Sequence, residues 1–145
     1  MSPTSECLFC QIVAGELAAV IVHEDEQTIA FLDHRPLFEG HALLIPRHHF
    51  ETLADLPSEL VPPLFGTAQI LSTAVQTAMD AVGTFVALNN KVSQSVPHLH
   101  VHIVPRRPKD GLRGFFWPRH KYESPERMAA VGAAIAAAAE GGLGA

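Results

Sequence analysis

The chain has no uninterrupted apolar stretch of about 18 residues, so no segment reads as a membrane-spanning helix. Its opening, MSPTSECLFC, lacks a basic segment followed by an apolar run, so no secretory signal is expected there. Charge is sparse: 17% of the 145 residues are charged while 48% are apolar, which excludes a disordered chain. The net charge of −5 argues against a bulk nucleic-acid binder. No internal repeat or long linker is visible. These shortages leave a water-soluble, cytoplasmic globular domain, and 145 residues suffice for one hydrophobic core.

Cysteine is nearly absent. The two that occur, Cys7 and Cys10, stand in a Cys-x-x-Cys pair. That spacing is a redox motif, half of a metal site, or chance; no βαβ pattern accompanies it as a redox motif would require, and a zinc site needs two further ligands. Basic residues are few but concentrated. Six of the ten lie between Arg106 and Lys121 (Arg106, Arg107, Lys109, Arg113, Arg119 and Lys121), with Asp110 the one acid among them. This cationic patch on an acidic chain would concentrate anions or form a solvated loop.

The apolar pattern predicts an α+β fold. A short helix over LFCQIVAGE ends near Gly15. AAVIVHED and QTIAFLDH are two strand-like runs joined at Asp25-Glu26 as a hairpin. HALLIPR is a third strand. Leu64, Ala68, Leu71, Val75 and Met79 form one helical stripe, with Pro62 and Pro63 at its start. TFVALNN and HLHVHIVP are the fourth and fifth strands. A basic, aromatic loop covers 106–122 and carries Phe115, Phe116 and Trp117. Ser124-Pro125 then caps an Ala-rich helix over about 124–140, ended by Gly141-Gly142. Strands clustered in neighbouring pairs favour an antiparallel five-stranded sheet over a doubly wound one.

Histidine, by contrast, is plentiful, with nine residues. Three of them, His98, His100 and His102, alternate with Leu99 and Val101 in KVSQSVPHLHVHIVPRRP. On a strand, positions i, i+2 and i+4 share a face, with Cα atoms roughly 7 Å apart between neighbours. Three imidazoles on one face are costly in a core because each polar ring needs partners. Two chemical uses remain open on these residues alone. One is a catalytic zinc site with three neutral imidazoles and an open position. The other is nucleophilic and acid–base catalysis by histidine itself.

HLHVHIVP fits a His-φ-His-φ-His-φ-φ signature, where φ is apolar, and the chain resembles the histidine triad (HIT) family of nucleotide hydrolases and transferases. The resemblance runs through CLFCQIVAGE, IAFLDHRPLFEGHALLIPRHH, ETLADLP, LNN and QSVPHLHVHIVPR, covering most of 6–110. It implies a HIT-like α+β domain spanning 1–145, usually paired as a homodimer, acting at the α-phosphate of a purine nucleotide. By position it implies that His100 is the nucleophile, forming a covalent nucleotidyl-histidine. His102 would contact phosphate and support proton transfer, and His41 is the outlying active-site histidine. Asp33 would bind the ribose hydroxyls. Asn89, Gln94 and Ser95 would line the phosphate site. Without the resemblance, Asp33 and Asn89 would read as turn residues.

One branch of that family holds a structural Zn2+ on residues matching Cys7, Cys10, His49 and His98. That is a closed Cys2His2 set, with a metal-free dithiol as the alternative. His48 is the neighbouring candidate to His49. Zinc on His98 would orient His100 from behind and would displace the catalytic-zinc use of the stripe. The chain also departs from the family pattern: the turn before the triad is NNKVSQ, about two residues short, with Ser93 where glycine is expected. The implied substrates are nucleoside phosphoramidates or dinucleoside polyphosphates. The rival expectation is a zinc-stabilised nucleotide-binding protein with little turnover.

Overall fold

The computed structural model describes residues 6–113 and 118–143. The chain divides after Asp110 into two compact units. The first contains helix α1 (Leu8–Val13), strands β1 (Ile21–Glu24), β2 (Thr28–Leu32) and β3 (Ala42–Pro46), helix α2 (Val61–Ala78), and strands β4 (Gly83–Ala87) and β5 (Val101–Arg106). The strands form one antiparallel sheet in the order β1-β2-β3-β5-β4.

Alternation along the strands sorts the core onto two faces. Ala30, Ala42, Leu44, Val101 and Ile103 pack with Leu64, Ala68, Leu71 and Val75 of α2, the expected stripe. The opposite face carries Ile29, Phe31, Leu43 and Ile45, covered by Phe9, Cys7 and Cys10 at α1. Small alanines at the centre of the first face let α2 approach closely, while the larger residues of the second face suit the short α1.

The expected hairpin joins β1 to β2. Asp25 holds its turn by accepting from the Gln27 and Thr28 N–H groups at 2.9 and 2.8 Å. Gly40 has φ +93°, and a Cβ there would meet Met79 Cγ at 2.5 Å. Glycine is therefore required where the chain turns into β3, beside His41.

Three boundaries differ from the sequence expectation. The fifth strand begins at Val101, so His98 and His100 precede the ladder and only His102 lies in it. The reason is that the Leu99 N–H donates to the Phe50 carbonyl at 2.7 Å rather than to a strand neighbour. Leu99 is nevertheless buried with the α2 core, so the apolar half of the alternation holds. The fourth strand ends at Ala87, leaving Asn89 in the following loop.

The third difference lies in the second unit, whose helix α3 runs Pro125–Leu143 and continues through Gly141 and Gly142. Each glycine costs about 1 kcal/mol relative to alanine in a helix, too little to stop propagation from a long alanine run. The expected cap is present, with Ser124 Oγ accepting from Arg127 N at 3.0 Å. Phe115, Phe116 and Trp117 of the basic aromatic loop lie outside the described residues. No helix among the described residues is long and apolar enough to cross a membrane.

Candidate functional site

The Cys-x-x-Cys pair sits on the first turn of α1. Cys7 is the N-cap, and its sulfur accepts from Cys10 N at 3.4 Å. His49 follows β3, and His98 precedes β5. The fold brings all four groups together, each ligand atom within 4.8 Å of the others. Cys7 Sγ and Cys10 Sγ each lie 3.5 Å from His98 Nδ1, and Cys10 Sγ lies 3.3 Å from His49 Nδ1. His48 is exposed and outside this cluster.

These distances test the fit to zinc. With Zn–S about 2.3 Å and Zn–N about 2.05 Å, ligands at a tetrahedral angle stand about 3.6 Å apart. The observed sulfur–nitrogen separations are close to that edge length. The tautomer also fits. His98 Nε2 lies 2.9 Å from the Pro46 carbonyl, which only accepts, so Nε2 carries the proton and Nδ1 is left bare. Burial pushes the His98 pKa down to about 4, which keeps the ring neutral.

The His98 carbonyl continues the chain of contacts. It accepts from His100 Nδ1 at 2.8 Å, so a neutral His100 has its lone pair on Nε2. Burial lowers the His100 pKa, favouring this neutral form.

His41 and His102 form a second pair, with Nε2 of His41 3.0 Å from Nδ1 of His102. The Leu37 N–H donates to His41 Nδ1 at 3.1 Å, so the proton of neutral His41 sits on Nε2 and is donated to His102. Neutral His102 then carries its own proton on Nε2. Asp33 Oδ2 lies 3.8 Å from His41 Nε2 and favours a proton on the pair. Burial, reinforced by His100 and His41, outweighs that and pushes His102 down to about 4. Asp33, His41 and His102 also converge closely enough to be counted as a ligand set. The Leu37 N–H argues otherwise: metal on His41 Nε2 would move the proton to Nδ1, against that donor.

His100 and His102 line a cavity of about 830 Å³. Its walls are largely apolar, including Phe9, Ile12, Val20 and Phe31, and Asp33 and Ser95 border it. Of the loop residues expected at a phosphate site, Ser95 is thus at the cavity. Asn89 ties its own loop, and Gln94 ties that loop to Glu51. Asn89 Nδ2 donates to the Ser93 carbonyl at 3.2 Å. Gln94 Oε1 accepts from Lys91 N at 2.9 Å, while its Nε2 donates to the Glu51 carbonyl at 2.6 Å. Lys91 and Ser93 have φ of +70° and +61°, the conformations glycine would adopt without strain.

Sequence reasoning missed three participants. Phe9 packs on two triad rings, and its only signal was its place between two cysteines. His34 lines the cavity beside Asp33. The Leu37 N–H, which sets the His41 tautomer, has no sequence signal because it is backbone.

Comparison with known proteins bears on this arrangement. The HIT domain model matches residues 14–109. A crystal structure of a HIT family member from Bacillus subtilis is 34% identical, covering 91% of this chain and 96% of its own, with a TM-score of 0.83. A Zn-bound histidine triad family protein from Mycobacterium smegmatis is 35% identical, covering 92% and 97% of the two chains, with a TM-score of 0.70. Adenosine 5′-monophosphoramidase HNT1 of Candida albicans is 31% identical over 81% of this chain and 82% of its own. By the extent of the domain match and the identity to these relatives, this chain belongs to the HIT domain family.

Proposed function

We propose that the chain is a nucleotide phosphohydrolase or nucleotidyl transferase acting at the α-phosphate of purine nucleotide conjugates through a covalent nucleotidyl-histidine. The observation that carries this is the state of His100. Its Nδ1 proton is committed to the His98 carbonyl, and its Nε2 lone pair is left for a phosphorus atom in the adjoining cavity. The flat apolar walls suit a purine, and Asp33 at the border suits the ribose hydroxyls. The phosphoramidase relative supports a P–N bond as the target; a dinucleoside polyphosphate is the other substrate class.

In the first step His100 Nε2 bonds to the α-phosphorus, and the bond to the leaving group breaks with its electron pair going to the leaving atom. The charge of the bound phosphoryl group draws one proton from solvent onto the His41–His102 pair, and that added proton passes from His102 Nε2 to the leaving atom, returning the pair to its neutral state. Ser95 and His102 stabilise the phosphoryl oxygens as charge develops. Water then attacks phosphorus, its proton passing to the His41–His102 pair as the bond to His100 Nε2 breaks, and the nucleoside monophosphate leaves with His100 restored.

Zinc on Cys7, Cys10, His49 and His98 has a structural role in this scheme. All four positions are filled by protein, so no open position is left for substrate. The zinc-bound relative supports this assignment. A site needing both cysteines as thiolates also fits the reducing cytoplasm. Strand β4 is an edge of the sheet with Val86 exposed, which supports a homodimer formed there.

A second reading, nucleotide binding with little turnover, is favoured by one observation. Asn89 is engaged within its own loop, and Gln94 by that loop and the Glu51 carbonyl. Intact-protein mass spectrometry separates the two. Native protein mixed rapidly with an adenosine phosphoramidate should gain a transient nucleotidyl mass, absent in His100→Asn, and should release the monophosphate. Native protein that binds nucleotide but never gains that mass would establish the second reading.

A further inference from the structure

Phe9 lies two residues after Cys7 and one before Cys10 on α1. It is 7% exposed. Its ring meets the His100 ring at 5.1 Å between centroids and 85° between planes. It meets the His98 ring at 6.0 Å and 68°, and the Phe31 ring at 5.3 Å and 67°. One phenylalanine therefore touches the nucleophilic ring and a metal-site ring from a helix whose two cysteines complete that metal site.

The His100 ring is 3% exposed, and Phe9 is one of its aromatic neighbours. The bond from Nδ1 to the His98 carbonyl fixes one ring atom. A single hydrogen bond still lets an imidazole tilt about the line through it. Tilt moves the opposite ring edge, which carries Nε2. Packing an aromatic edge against a ring face removes that freedom, because perpendicular aromatic pairs have a preferred geometry. The His102 ring, 4.9 Å from His100, closes the other contact.

We propose that Phe9 is a positioning residue, holding the His100 ring so that Nε2 faces the cavity and transmitting to it the occupancy of the Cys2His2 cluster. The seat of α1 is set by Cys7 and Cys10, which face His98 and His49 across the cluster. Metal there fixes the helix, and the helix fixes Phe9. Without metal, α1 keeps its apolar contacts but loses the link that ties its two cysteines to His98 and His49. This inference rests on His100 as the nucleophile, and its closing experiment separates the two ideas.

Zinc-loaded native protein is compared with Phe9→Leu and with Phe9→Met, whose flexible side chain fills the space if leucine is not tolerated. The first readout is solvent exchange of the His100 Nδ1 proton by NMR in protein labelled at histidine. It needs no substrate. Exchange at least ~10-fold faster in the variants, with one zinc retained per chain, is the expected result, since that factor corresponds to a modest change in opening of one hydrogen bond. Unchanged exchange would overturn the positioning role. The second readout is steady-state kinetics with an adenosine phosphoramidate. A fall in kcat of about tenfold with KM within twofold is expected, because misplacing a reacting group costs rate rather than binding. A raised KM with unchanged kcat would reduce Phe9 to a cavity wall.

Removing zinc with a chelator tests the transmission. Exchange in native protein should rise to the level of Phe9→Leu, and chelation of the variant should add little. Equal increments in both proteins would overturn transmission through Phe9. If the native protein turned over no nucleotide conjugate, the proposed function would fail while the exchange measurements still decided the role of Phe9.

Discussion

His98 faces two ways: its Nδ1 lies 3.5 Å from both Cys7 and Cys10 sulfurs, while its carbonyl accepts the Nδ1 proton of His100 at 2.8 Å. A group suited to holding metal thus also sets which nitrogen of its neighbour is nucleophilic.

Loss of metal should therefore be felt first as lost stability. Cys10 contacts both histidines of the cluster, so Cys10→Ser should abolish tight zinc binding. A structural zinc site contributes directly to folding, and a loss of about 2–4 kcal/mol would lower Tm by roughly 5–15 °C in a chain of this size. Metal content and calorimetry on native and variant protein check this. Equal Tm values would show that the cluster does not hold a structural metal.

The His41–His102 contact should matter to rate more than to binding. His41→Ala removes the donor to His102 Nδ1 and leaves that nitrogen without its partner. Loss of a positioned proton-transfer group typically costs about 10²–10⁴-fold, so kcat should fall by roughly 10²-fold or more. Single-turnover kinetics, with binding measured separately by calorimetry, give the split. A change confined to binding would remove His41 from the proton path.

Acid should weaken the fold well above the usual carboxylate range. His102 is held down to about 4 by burial and by its histidine neighbours, against 6.5 for an ordinary histidine. His41 and His100 are lowered in the same direction by burial. In the unfolded chain these rings take up protons as pH falls through 6.5, whereas the folded chain resists until lower pH. Stability is therefore full above 6.5 and is lost progressively as pH falls from 6.5 toward 4. Each such ring contributes a slope approaching about 1.4 kcal/mol per pH unit within its window. Urea midpoints at pH 7.5, 6.5 and 5.5 should decline in order, with a shallower decline in His102→Gln. A flat series would contradict neutral burial.

The loop before the triad stores strain that glycine would release. Ser93 holds φ +61°, and the left-handed conformation costs a non-glycine residue about 1–2 kcal/mol. Ser93→Gly also loosens the unfolded chain by about 0.4–1 kcal/mol, so the net gain should be roughly 0.5–1 kcal/mol. Denaturant midpoints measure it, and a decrease would mean that the Ser93 side chain makes a contact worth more than the strain.

Much of this molecule was legible in its residues. Alternation placed Leu99 and Val101 opposite the three histidines, and the stripe from Leu64 to Met79 named the buried face of α2, because those periods follow from local backbone geometry alone. The type of chemistry was legible too, since three alternating histidines and a Cys-x-x-Cys pair have few other uses. The strand around the triad was misplaced because Leu99 found its hydrogen-bond partner in Phe50, far away in sequence. Gln94 was expected to line the phosphate site, but Glu51 engages its side chain through a backbone carbonyl that no motif advertises.

What the sequence by itself determined was which side chains are available and on which face of the sheet each falls. Only the tertiary structure decided what each imidazole can do. The Pro46 carbonyl, the Leu37 N–H and the His98 carbonyl assign the protons of His98, His41 and His100 respectively; all three are backbone groups, and the Pro46 carbonyl is brought to His98 from 52 residues away. Either nitrogen of a neutral imidazole can carry the proton until a partner is fixed to one of them. That partner is a backbone group whose direction the folded chain sets, and side-chain spacing does not encode it.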